Sequence, residues 1–297
     1  MQSRDKKNAK GEKNMQDQKT WLRSLIVDFL ETDVNRMGNN FGDEKMWDTP
    51  LVGFASGADD IFKKYKSSEV CGAEHWTPAE IFAKAYPESN FTEDELTIVS
   101  WILPQTEKTK ASLRVETHFP SERWSRSRIM GEPINEAIRE YMVKTLKEAG
   151  YEVIAPVLHP EWTRLENPQQ VITSKWSERH MAHAAGLGTF GFCDALITPI
   201  GKAHRLGSIV IKLKLEPDKR PYTDIHEYCL YYTKGTCLAC VHRCAPGALT
   251  KEGHNKLKCR AFLRGPSTDY NKEKFGLDGY GCGMCQTAVP CENGIPK

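Results

Sequence analysis

The 297-residue chain exceeds one average domain and is long enough to bury a core of ordinary size. Its 41 basic and 39 acidic residues leave a formal net charge of +2, which gives no electrostatic case for nucleic acid or an anionic membrane. The longest apolar run, Leu96 to Leu103, is far too short to cross a bilayer, and the polar first 19 residues hold neither an apolar export segment nor a twin arginine; a cytoplasmic protein with reduced thiols is expected.

Residues 1–19 are charged and poor in apolar side chains, the composition of a disordered segment. Trp21, Leu22, Leu25, Ile26, Phe29 and Leu30 recur at helical spacing, so an amphipathic helix is expected over residues 20–34. A loop containing Gly38, Gly42 and Pro50 follows, then a short helix from Asp59 to Tyr65. Thr77-Pro78 reads as an N-cap with proline at the first helical position, opening a helix that ends near Ala85. Residues 20–94 therefore form a helical N-terminal region. Leu96–Leu103 reads as a strand buried on both faces, Ile134–Gly150 as a strong helix, and Tyr151–Leu158 as a second strand. Ser177–Ala185 is a helix and Arg205–Leu215 a partly alternating strand, which makes residues 95–226 an α/β body. Arg123, Trp124, Arg126 and Arg128 form a basic stretch before the Pro133 helix, a weak nucleic-acid signal and an ordinary solvated one.

Eight of the ten cysteines fall after residue 228: Cys229, Cys237, Cys240, Cys244, Cys259, Cys282, Cys285 and Cys291. Two [4Fe–4S] cubes need eight thiolates, and the Cys237-x2-Cys240-x3-Cys244 run followed by Ala-Pro-Gly matches the turn behind a ferredoxin cysteine. Paired zinc knuckles and a disulfide framework are the rival readings. Ligand exchange between neighbouring runs assigns Cys229, Cys237, Cys240 and Cys291 to one cube, and Cys244, Cys259, Cys282 and Cys285 to the other. Residues 227–297 are thus expected to be a ferredoxin-like module. His242 and His254 lie among these ligands. Of the remaining two cysteines, Cys193 reads as a small buried hydrophobe.

Between body and module runs Ser177-Glu-Arg-His-Met-Ala-His-Ala-Ala-Gly-Leu-Gly-Thr-Phe-Gly191. His180, His183 and Ala184 share one helix face, and Gly186, Gly188 and Gly191 then strip side chains from the loop. Those glycines read either as a route for close approach to a flat partner or as a helix C-cap with a tight turn. They do not form a Rossmann fingerprint, because they end a helix instead of following a strand.

Ser177 to Val210, taken with the cysteine module, resembles the epoxyqueuosine reductase and reductive dehalogenase superfamily. The resemblance implies an α+β chain in which a nitroreductase-like domain binding cobalamin is followed by a ferredoxin-like double [4Fe–4S] module. It places Ala185, Gly186, Leu187, Gly188 and Gly191 along the corrin, with Thr198, His204, Arg205, Gly207 and Ser208 alongside. It also implies a low-potential electron donor of ferredoxin or flavodoxin type. The reaction would be reductive removal of a substituent or oxygen from a small or nucleoside-type substrate, with tRNA as a further partner. Epoxyqueuosine reductases carry an acidic proton donor just upstream of the glycine loop, whereas Pro168 to Ser177 contains no carboxylate here. Proton donors must instead come from Glu178, His180, His183 or Asp194, with Arg179 as an anion clamp. Two other readings remain: an electron-transfer protein without its own substrate, and a redox partner that reactivates another corrinoid protein.

Overall fold

The computed structural model describes residues 15–167 and 171–297. Its centre is a four-stranded sheet made of β1 (Leu51–Ser56), β2 (Leu96–Pro104), β3 (Val153–Ile154) and β4 (His204–Lys212). Spatially the order is β1-β2-β4-β3, and every neighbouring pair is antiparallel. β2 is buried along its whole length, as its apolar run requires. Its residues divide by the period of two. Val99, Trp101 and Leu103 face a core shared with α1 (Met15–Leu30) and α4 (Glu122–Glu148). Leu96, Ile98 and Ile102 face a second core with residues of α2 (Pro78–Ala85) and α5 (Glu178–Ala184). Between α2 and α4 lies α3 (Glu107–Arg114).

Local signals place several of these elements. Thr77 and Glu80 form a reciprocal capping box at the start of α2, with proline at its first turn. Asn135 on α4 accepts from Trp101 Nε1 at 2.9 Å and donates to Leu206 O at 2.8 Å, pinning that helix to the sheet.

Four expectations shift. The first helix begins at Met15, so residues 15–19 belong to it; residues 1–14 lie outside the described chain. The stretch read as a helical N-terminal region also supplies β1, which pairs with β2 from Leu51↔Ile102 to Ser56↔Thr97. Gly53 breaks that strand's apolar run, and a side chain there would strike Ala185 O. The long helix starts at Glu122, not at Ile134: Ser121 caps Trp124 N, and Pro133 sits inside a helix already running. The strand expected from Tyr151 to Leu158 is cut to Val153–Ile154, because Pro156 opens a 3-10 turn.

After residue 226 the chain carries α6 (Leu230–Lys234), α7 (Ala239–His242), and α8 (Lys256–Phe262), which runs through a π-helical turn at Leu263–Ser267 into α9 (Thr268–Phe275). This tail lies against the body along α4 and the 189–202 loop. Gly283 is pressed against the Trp124 indole, whose Nε1 donates to Cys282 O at 3.0 Å. Ser125 Oγ donates to Asn271 Oδ1 at 2.8 Å. Lys202 N donates to Cys291 O at 3.1 Å. Gly201, at φ +91°, leaves no room for a side chain beside Glu292.

Candidate functional site

The eight tail cysteines gather at the face of the tail nearest the body. Cys229, Cys237, Cys240 and Cys291 line one cavity together with Phe192, Ile197 and Lys202. This is the first predicted quartet, and it includes the two members whose spacing departs most from a ferredoxin run. In the second quartet, Cys282 lies within electrostatic reach of Cys259 and Cys244, and Cys285 within reach of Cys282. Cys244 Sγ accepts from Ala248 N at 3.2 Å and Leu249 N at 3.3 Å, the bonds that the Ala-Pro-Gly turn supplies. Between the quartets Arg243 spans the tail, donating to Leu113 O, Glu116 O and Met284 O at 2.6–3.3 Å.

The donor set suits an inorganic cube. Burial pushes the Cys282 thiol up to about 11 and also raises that of Cys291. Crowded thiols of this kind become good ligands when a metal cation displaces their protons. All ten cysteines are free. Among the described residues no three His, Cys, Asp or Glu side chains close on a single ion. A cube differs from a lone ion in taking one thiolate at each of four separate corners, and the eight tail cysteines are the number that two cubes require.

Cys193 is buried in an apolar cluster with Phe192, Ile197, Leu249 and Val289, as expected, and one ammonium reaches it there. Lys202 Nζ donates to Cys193 Sγ at 3.4 Å. Bonds from the Cys240 and Cys285 thiols, reinforced by the nearby ammonium, draw the Cys193 thiol well below its ordinary value. Neither residue carries a local signal in sequence. Only the turn at Gly201 brings Lys202 under the cysteines.

The glycine loop is a helix terminus. Leu187 N donates to Ala182 O at 3.0 Å and Gly186 N to His183 O at 3.2 Å, with Gly186 at φ +79°, which is a Schellman cap. Side chains at Gly188 and Gly191 would meet Ile197, and one at Gly207 would meet the Trp101 indole. Ala185 and Leu187 are buried in the core. Thr198 Oγ1 donates to Gly201 O at 2.7 Å and His204 Nε2 pairs with Leu196 O at 2.8 Å. Arg205 is ion-paired with Glu132, and Ser208 Oγ bonds Glu178. The loop is therefore shaped by contacts within the chain. Among the ten residues that the resemblance places along the corrin, His204 Nδ1 is the one buried polar atom without a partner.

The four proton-donor candidates separate electrostatically. Burial raises the Glu178 carboxyl, against the pull of Arg139 Nη2 at 3.0 Å and Ser208. Burial pushes His183 down to about 4 and His180 well below its ordinary value, so both imidazoles are neutral near pH 7. His183 Nδ1 meets Tyr65 OH at 2.7 Å, and His180 sits beside Cys71 Sγ at 3.4 Å. Asp194 pairs with His254 Nδ1 at 2.8 Å, and despite burial that bond and nearby Arg179 and Lys256 keep it ionised. Arg179 donates to Asp194 O at 2.6 Å. Glu178 alone is shifted in the direction of a proton donor. Part of the segment read as lacking an acid, residues 168–170, lies outside the described chain; the strand after it, Val171–Ser174, has no carboxylate.

The basic stretch is occupied by internal partners. Arg123 reaches Glu44 at 3.2 Å, buried Arg126 reaches Glu122 at 3.1 Å, and Arg128 donates to Tyr280 OH at 2.7 Å. No helix among the described residues is long and apolar enough to cross a membrane.

No known family profile matches the chain. Individual relatives do. The chain is 31% identical over 156 residues to an epoxyqueuosine reductase of Staphylococcus aureus, an alignment covering 51% of this chain and 39% of that enzyme. It is 32% identical over 136 residues to the Bacillus cereus enzyme of that name, covering 44% of this chain and 33% of the relative. The matches thus span well under half of those proteins. Among solved structures, an epoxyqueuosine reductase superposes with a TM-score of 0.52 at 19% identity, covering 96% of this chain and 68% of the other. The structure of an epoxyqueuosine reductase with an epoxyqueuosine-modified tRNA-Tyr stem loop gives 0.51 at 19%, with the same coverage. A catabolic reductive dehalogenase bound to 3-bromo-4-hydroxybenzoic acid gives 0.51 at 13%, covering 93% of this chain and 36% of that one. The chain is a relative of the epoxyqueuosine reductases by sequence over about half its length, and it shares a mixed helix-and-sheet fold with them and with reductive dehalogenases.

Proposed function

We propose that the chain is an iron–sulfur oxidoreductase that removes an oxygen or other substituent reductively from a modified nucleoside or a related small molecule. The observation that carries this reading is the cavity lined by Cys229, Cys237, Cys240 and Cys291, set against the body beside a second cysteine quartet. Two cubes held there would pass electrons one at a time from a ferredoxin- or flavodoxin-type donor. The second quartet is the more accessible, since Cys244, Cys259, Cys282 and Cys285 are all partly exposed, whereas in the first only Cys237 is and Cys229, Cys240 and Cys291 are buried. Electrons therefore enter through the outer quartet and leave toward the body.

Glu178 is the acid of choice. It stands at the start of α5, its carboxyl raised by burial and steered by Arg139 and Ser208. Arg139 is itself shared with Glu132 at 3.3 Å, so it orients Glu178 without being committed to it alone. Cobalamin is the acceptor that the sequence resemblance implies, and when bound it supplies a low-valent cobalt that takes part in two-electron reduction. Its seat would be the loop after α5 and the β4 residues that the resemblance names, where His204 Nδ1 is a buried polar atom still without a partner.

Support for a nucleoside substrate comes from relatives named epoxyqueuosine reductase and from the neighbour solved with a modified tRNA stem loop. The test is anaerobic: protein reconstituted with iron and sulfide, reduced by dithionite, and offered an epoxyqueuosine-bearing stem loop with and without cobalamin. Loss of one oxygen by mass spectrometry supports the proposal. Turnover that requires cobalamin supports the cobalt step as well. An unchanged stem loop, with both cubes present and reduced, refutes the nucleoside reading. It would favour the electron-carrier alternative.

A further inference from the structure

Lys202 is almost fully buried, at 2% exposure. A buried ammonium ordinarily needs a carboxylate, because leaving it unpaired costs several kcal/mol. Among the described residues no carboxylate lies within ion-pair reach of Lys202 Nζ; its hydrogen-bond partners are sulfurs, Cys193 Sγ at 3.4 Å and Cys291. The charges it faces are those of Cys193, Cys291, Cys285 and Cys240. It also lines the cavity of the first quartet. The chain has thus placed a permanent cation where the only available anions are thiolates.

We propose that Lys202 is the internal counter-cation of the cube on Cys229, Cys237, Cys240 and Cys291, raising that cube's reduction potential above that of the cube on Cys244, Cys259, Cys282 and Cys285. The inference rests on the two-cube reading above and adds a direction to it. A cube with four thiolates is anionic, and one-electron reduction adds one more negative charge in a poorly solvated place. A fixed ammonium at hydrogen-bonding distance from the sulfurs stabilises the reduced form more than the oxidised one. The electron comes from the external low-potential donor, reduces the exposed cube, and moves on to the buried one, which is left reduced while the first is reoxidised. Cys193 is a positioning residue in this arrangement: its sulfur holds the ammonium at 3.4 Å and lies against one cysteine from each quartet, Cys240 and Cys285.

The test uses the full chain, reconstituted anaerobically with iron and sulfide. In Lys202→Met the side chain keeps its length and loses its charge. With iron content at the wild-type level, potentiometric titration followed by electron paramagnetic resonance should show one midpoint lowered by 59 mV or more, a tenfold change in a one-electron equilibrium, while the other moves less. Two midpoints that stay in place, or fall together, overturn the inference. If Lys202→Met fails to hold iron, wild-type protein labelled with 15N at the lysine Nζ decides. A 15N coupling to the reduced cube in pulsed spectra supports contact, and its absence overturns it. Wild-type protein that takes up no iron overturns the two-cube reading itself, and this inference with it.

Discussion

The body and the cysteine-rich tail are held together by different physics. The body buries two apolar layers against opposite faces of one sheet, with Trp101, Phe54 and Ile138 on one side and Phe62, Phe82 and Trp176 on the other. The helices of the tail are short except for one run, Lys256–Phe262 continuing through a π-helical turn at Leu263–Ser267 into Thr268–Phe275, and its share of the third cluster is largely cysteine: Cys229, Cys240 and Cys291, with Leu249 and Val289. The short helices need tertiary support, and the tail draws it from contacts with the body, such as Gly283 against Trp124 and Arg243 with Leu113 O, as well as from its buried cysteines. A body of this kind folds by the hydrophobic effect. On the two-cube reading the tail would fold with its inorganic cofactor, as small metal-bound domains do.

The largest expected effect breaks the two apart. Chelating iron from anaerobic protein should unfold the tail and leave the body folded, which limited proteolysis would show as cleavage confined to residues after 226. Cleavage spread evenly through the sheet would contradict the contrast. Next in size is Trp101→Ala, which empties a fully buried indole site and removes its bond to Asn135. It should cost about 3–5 kcal/mol in urea unfolding of the body while iron per chain stays constant.

Arg139→Met comes third. It leaves Glu178 buried without its guanidinium partner, while the partly exposed Glu132 keeps Arg205, and a loss of about 3 kcal/mol is expected. Because that arginine also opposes protonation of Glu178, the carboxyl should rise further, visible as an infrared band of protonated acid persisting to higher pH. Gly188→Ala is smaller, about 1–3 kcal/mol, from collision with Ile197 O. It should lower body stability without changing iron content or midpoint potentials.

A further contrast is with pH. His75 and His183 are both buried and pushed down to about 4, against about 6.5 when unfolded. The unfolded chain therefore binds protons that the folded body refuses over that window. Stability is complete above about pH 6.5 and falls as pH drops toward about 4, by about 1.4 kcal/mol per unit for each histidine. His183→Phe should flatten that slope. A body equally stable at pH 7 and pH 5 would contradict the assignment of a neutral, buried imidazole.

What was legible in the sequence follows the same division. β2 announced itself by an unbroken apolar run and α2 by its capping box, because each signal is local. β1 was hidden by Gly53, which is needed for contact with Ala185 O, a neighbour more than a hundred residues away. The first three turns of α4 were masked by Pro133, which usually marks a beginning and here lies within. The glycines after α5 pointed outward on paper and are filled by Ile197 and Lys219 in the fold. Lys202 and Cys193 gave no signal at all, since a lysine nine residues from a lone cysteine gains meaning only when a turn sets both beneath the tail.

The central claim is that buried thiols in the tail hold two iron–sulfur cubes, and metal analysis of anaerobically purified full-length protein tests it most directly. The account predicts about eight iron and eight sulfide per chain, negligible zinc, and paramagnetic signals from both cubes after reduction with dithionite. Colourless protein carrying zinc alone, with no such signal, would contradict it.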